Sequence, residues 1–137
     1  MSSIKPRATW RVAPGEPESL AKVPGHTAVE GIARFRLLDG SSPLGAISHC
    51  AAHVISERFA PGADWRYTQP HTHDCDEVNI LLSESGPLRF RYEVDGSIEV
   101  VESPCTVFLP AGTTHRMEAV GGTGVFICMH LQKGKAR

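Results

Sequence analysis

Residues 70–79 read PHTHDCDEVN and carry two histidines, three carboxylates and a cysteine within ten positions. Side chains alternate across a β-strand, so His71 and His73 point to one face and can hold an ion between two imidazoles. Glu77 follows after three residues, enough for a turn or bulge that returns its carboxylate to the histidines. Asp74 and Asp76 then sit on the turn and face solvent. Much further on, PAGTTH places His115 just after a proline–glycine turn, at the start of another strand. A His-x-His among acidic neighbours also arises in proteins that bind no metal, so spacing alone leaves a metal site and a polar turn both open.

The elements that must position these residues are short. Thirteen glycines and ten prolines are spread along 137 residues, which punctuates the chain too often for long helices. From Thr27 the runs TAVEGIARFRLL, HVISERF, WRYTQ, EVNILL, LRFRYEV, SIEVV, CTVFL, THRMEAV and VFICMHL are β-branched or aromatic and often alternating. Turn formers separate them, and Val94-Asp95-Gly96-Ser97 is the best hairpin signal. Strands at this spacing predict an all-β sandwich or barrel. Residues 1–26, rich in proline and charge, read as an N-terminal arm or edge segment with room for one helical turn before Pro24; residues 27–137 read as the barrel domain.

With this pattern in place, the chain resembles the cupin superfamily, whose members share a double-stranded β-helix of jelly-roll type. Gly62, His71, His73, Glu77 and Gly86 match the first cupin motif, and Pro110, Gly112 and His115 match the second. The resemblance covers about residues 50–131 and implies that His71, His73, Glu77 and His115 are the ligands of one divalent metal. Three imidazoles and a carboxylate suit iron, manganese, nickel, zinc or cobalt, with iron placed first. Oxygenase chemistry on a small oxygenated molecule then leads on family frequency. Lewis-acid isomerase, lyase or cyclase chemistry and a non-catalytic small-molecule-binding cupin are the alternatives.

Counting in steps of two from the ligands puts Gln69, Tyr67 and Trp65 on the ligand-bearing face if the strand runs unbroken across Pro70, and puts Asn79, Leu81 and Met117 inward. Tyr67, Gln69 and Asn79 are therefore the candidate catalytic residues. Asn79, a polar amide in an apolar run, needs a partner if buried. Leu88, Phe90 and Tyr92 are expected to face in, and Arg89 and Arg91 out. His26, His49, His53 and His130 lie in no motif and read as surface or satisfied core histidines, with His53 the one closest to the cavity.

A net charge of −1 gives no footprint for nucleic acid or anionic lipid. No apolar run suggests a signal peptide or membrane span, so a soluble cytoplasmic protein is expected. The four cysteines form no CxxC pair and read as free thiols. A homodimer is expected through the strand at TAVEGIARFRLL and the residues before it.

Overall fold

The computed structural model describes residues 12–41, 44–56 and 68–132. Among these residues nine strands run in chain order: β1 (Glu16–Glu18), β2 (Ile32–Leu38), β3 (Ile47–Ile55), β4 (Glu77–Leu82), β5 (Arg89–Val94), β6 (Ser97–Glu102), β7 (Cys105–Leu109), β8 (His115–Gly121) and β9 (Gly124–Leu131). A single 3-10 turn at Leu20–Lys22, capped by the Ser19 hydroxyl, follows β1. A six-stranded sheet in the order β1-β2-β3-β9-β4-β7 faces a three-stranded sheet in the order β6-β5-β8. All strand pairings are antiparallel. This is a jelly-roll arrangement. Among the described residues, no helix is long and apolar enough to cross a membrane.

The alternation of the sequence becomes the two faces of each sheet. Leu88, Phe90 and Tyr92 are buried, whereas Arg89 pairs outward with Glu102 and Arg91 with Glu118. Phe90 from one sheet stacks on Phe126 from the other, with centroids 4.8 Å apart and planes within 6°, and Leu81, Leu109, Met117 and Ile55 fill the space around them. The β5–β6 hairpin closes through Asp95 and Gly96, both at positive φ, as a primed turn requires.

Two expected strands differ. The run TAVEGIARFRLL begins its strand only at Ile32, and β2 is flanked on both sides, by β1 and β3, so it offers no free edge to a second copy. The edge belongs to the three-residue β1. The first three residues of WRYTQ lie outside the described residues; its Thr68, and His71 beyond it, make only isolated bridges, to His26 and His115. Pro70 lacks the N–H that a continuous ladder needs.

Candidate metal centre

Register fixes which side chains meet at one end of the barrel. On the inner face of the large sheet, His49 on β3 pairs with His130 on β9, and His130 pairs with Glu77 on β4. Two residues deeper, Ala51, Cys128 and Asn79 form the next row, and two deeper again come His53, Phe126 and Leu81. The second row of donors arrives from the loop before β4. His71 and His115 exchange both backbone hydrogen bonds, at 3.0 and 2.9 Å, and the Gly112 amide donates to the His73 carbonyl. The Ala111 amide donates to Asp76 Oδ1 at 2.9 Å. These bonds hold the 70–76 loop against the 110–115 turn, so residues far apart in sequence become neighbours.

His71, His73, Glu77 and His115 present donor atoms that all lie within 4.8 Å of one another and could hold a metal ion. Glu77 Oε1 lies 3.4 Å from His73 Nε2, 3.5 Å from His115 Nε2 and 3.1 Å from His130 Nε2. The Nδ1–H of His71 donates to the Gln69 carbonyl and that of His115 to the Thr113 carbonyl. Each ring therefore keeps its Nε2 lone pair for the cluster, the tautomer a metal ligand needs.

Whether the donor set fits an ion is tested by His115. Its Nε2 is buried and has no hydrogen-bond partner among the described residues, and 3.5 Å to Glu77 is too long for a good bond. A buried ring nitrogen without a partner is costly, and an ion among the four donors would satisfy it. The residues fit.

Behind the donors, Asn79 Nδ2 donates to Glu77 Oε2 at 2.9 Å, and the Tyr92 hydroxyl donates to Asn79 Oδ1 at 2.8 Å. All three are buried. Burial by itself would raise the Glu77 pKa, but the imidazoles of His115 and His130 and the Asn79 amide more than offset it and keep the carboxylate ionised well below the usual range. Burial lowers His115 as well, yet Glu77, the Thr113 carbonyl and Asp95 raise its pKa above the ordinary value. Burial, with His130 beside it, holds His73 down to about 4.

The cluster opens on a cavity of about 220 Å³ lined by His26, Arg34, His49, His53, His71, His73, Glu77, Met117, Phe126, Cys128 and His130, with Val23 and Pro24 at its rim. Six of the seven histidines of the chain line it, and the seventh, His115, completes the donor set. His26, His49 and His130 are thus cavity residues, not the surface or core residues their lack of a motif suggests, and His53 reaches the cavity too. The missed signal was parity: His49 and His53 share a face with buried Ala51 and Ile55, and His130 shares one with Phe126 and Cys128. Arg34, on β2, was missed for the same reason.

Asn79 is buried where expected, but it touches Glu77 and does not line the cavity. Gln69 is turned to solvent, because the break at Pro70 shifts the parity by one and sends Thr68 inward, where its hydroxyl donates to the Met117 carbonyl. Tyr67, Trp65 and Gly62 lie outside the described residues. Cys75 stays on its turn, outside the donor cluster, with its thiol pKa raised by burial and by Asp74. Cys128 offers a second grouping with Glu77 and His130, but burial raises its thiol pKa far above the ordinary value, so it stays protonated.

A jelly-roll barrel with three histidines and one glutamate gathered at its mouth defines a cupin. Residues 53–136 match the AraC-like ligand binding domain, and the chain belongs to that family. No curated protein matches it by sequence. Among solved structures it is similar to the polyketide cyclase RemF from Streptomyces resistomycificus, at 16% identity and TM-score 0.57 over 96% of this chain and 80% of that one. It is also similar to a predicted oxalate decarboxylase from Thermotoga maritima (17%, TM-score 0.56, 86% and 91%) and to KdgF from Halomonas sp. (19%, TM-score 0.53, 80% and 87%). At these identities the likeness is one of fold.

Proposed function

We propose that the protein is a metal-dependent enzyme that binds one divalent ion through His71, His73, Glu77 and His115 and acts on a small oxygenated organic molecule held in the adjoining cavity. The observation that carries this reading is the convergence of four donors, one of them a buried ring nitrogen without a hydrogen-bond partner among the described residues, with three of the four on the wall of a partly open cavity. When bound, such an ion supplies Lewis-acid polarisation of a carbonyl or hydroxyl oxygen. Asn79, steadied by Tyr92, holds the Glu77 carboxylate in place. His130 donates through Nε2 to ionised Glu77 and so keeps Nδ1 as a lone-pair acceptor at the cavity wall, able to take a proton from a ligand carbon or hydroxyl. Met117, Phe126 and Val23 give the same space apolar walls.

Family frequency alone places iron and oxygenase chemistry first; the cavity favours proton transfer, because histidines not needed as ligands surround it and the oxidisable Met117 and Cys128 line it. The family match supports a second reading, a non-catalytic small-molecule-binding module.

Elemental analysis of anaerobically purified protein, paired with an oxygen electrode and solvent-deuterium exchange by NMR over catechols, β-diketones and hydroxy acids, tests the three readings. The expected result is about one divalent ion per chain, reduced in His73→Ala and His115→Ala, with metal-dependent exchange and no oxygen uptake. Iron with substrate-dependent oxygen uptake selects the oxygenase. Ligand binding unchanged by metal removal selects the binding module, and full metal content in both variants refutes the donor set.

A further inference from the structure

At the wall away from the donor cluster the cavity holds one buried cation. Arg34 lies in a cross-strand row between Glu18 on β1 and His53 on β3, is 6% exposed, and is, among the described residues, the only lysine or arginine lining the cavity. Its Nε donates to Glu18 Oε1 at 2.7 Å, its Nη1 to His53 Nε2 at 2.9 Å and its Nη2 to His49 Nε2 at 3.4 Å. A guanidinium has no acceptor, so both imidazoles must accept through Nε2 and are neutral. That agrees with burial, aided by His130 and Arg34, holding His49 down to about 4. Burial and Arg34 hold His53 well below its ordinary value. The histidines thus fix the position of the guanidinium without cancelling its charge.

Two features leave Arg34 with binding capacity. Three of its five N–H donors have the partners just named, so one on each terminal nitrogen has none among the described residues. Glu18 is also a shared counter-ion, since its other oxygen lies 3.6 Å from Arg36 Nη1. Ring contacts link Arg34 to the donor cluster along both walls. One wall runs through His53, His26 and His71, with centroids 5.9 and 6.3 Å apart; the other runs through His49, His130 and His73, at 4.8 and 4.3 Å. The cavity therefore has a cation at one end and the donor cluster at the other. A divalent ion and Arg34, set against Glu77 and Glu18, leave positive charge in excess.

We propose that Arg34 is an anion subsite and that the ligand of this cavity is a small organic acid whose carboxylate is held by Arg34 while a second oxygen function reaches the donor cluster. Two free N–H donors match the two oxygens of a carboxylate, whereas a phosphate dianion would keep an oxygen without a donor. A volume of about 220 Å³ corresponds to roughly seven waters at ~30 Å³ each, so the acid is a small one. The subsite itself stands on Arg34; only the far end of the ligand rests on the metal-dependent reading.

The test measures binding of three acid and amide pairs by calorimetry: pyruvate and pyruvamide, lactate and lactamide, salicylate and salicylamide. Inorganic phosphate serves as a control. Zinc-loaded and metal-free protein are compared, with zinc content measured on each sample. At least one acid is expected to bind about tenfold or more tightly than its amide, with phosphate weaker than that acid. Arg34→Gln is expected to abolish the preference for the acid over its amide without changing zinc content. Because Arg34→Gln removes a buried group, Glu18→Gln provides a test in the opposite direction: freeing the guanidinium of its competitor should tighten acid binding, an effect that loss of structure would not produce. No preference for any acid, including failure of every pair to bind, overturns the proposal, as does a preference that survives Arg34→Gln or an acid affinity that falls in Glu18→Gln. Absence of zinc uptake with an intact, Arg34-dependent preference would refute the metal site while leaving the subsite standing.

Discussion

Removing a single oxygen, in Tyr92→Phe, tests how the barrel interior supports the donor cluster. Tyr92 is 3% exposed and Asn79 and Glu77 are 0% and 2% exposed, so water cannot replace the lost hydroxyl at Asn79 Oδ1. The ring and its packing against Phe90 stay. Leaving that carbonyl without its donor costs roughly 1–3 kcal/mol, or about 3–12 °C of Tm for a chain of this size. An amide no longer tethered can rotate away from Glu77 Oε2 and leave the carboxylate with one orienting contact fewer. Loss of an outer partner of a ligating group costs about 10–100-fold in metal affinity; Tyr92 acts one step further out, which puts the expected loss near tenfold. Melting of metal-free protein by circular dichroism and zinc affinity by competition with a chelating dye measure the two effects separately. Asn79→Ala completes a double-mutant cycle, and Tyr92→Phe should add little once Asn79 is gone. A variant with unchanged Tm and unchanged zinc affinity would refute the argument that Tyr92 and Asn79 position Glu77.

Acid should destabilise the metal-free protein before carboxylate titration begins. His49 and His53 are held neutral in the fold, the first down to about 4, whereas the unfolded chain takes up protons near 6.5. Between these values the unfolded state binds more protons, so stability falls as pH drops; raised His115 opposes this at the upper end. A Tm that is flat from pH 7 to 5 would contradict the neutral assignment. Gly122→Ala should cost more than about 3 kcal/mol, because φ is +77° and an added Cβ would lie 2.1 Å from the Pro87 carbonyl oxygen; urea unfolding with a wild-type midpoint would refute that close approach.

The strands and the four clustered donors were legible because they rest on period-two alternation and on two motifs with fixed internal spacing. The cavity's other half was not. His49, His53, His130 and Arg34 come from three different strands, each contributing one or two polar residues to a face that is otherwise apolar, and only cross-strand register brings them together. Register is set by tertiary packing, which a single run of residues does not display. Gln69 shows the opposite failure. Parity counting needs an unbroken strand, and one proline was enough to reverse it.

The gathering of every imidazole of the chain at one cavity and its donor cluster has a practical consequence for observation. Isotopic labelling of histidine would give ring signals that all originate within this neighbourhood, with no background from elsewhere in the molecule. Tautomer, metal arrival and ligand entry would each be read directly from the signals of seven rings, and a histidine-selective chemical reagent would become a footprint of the site alone.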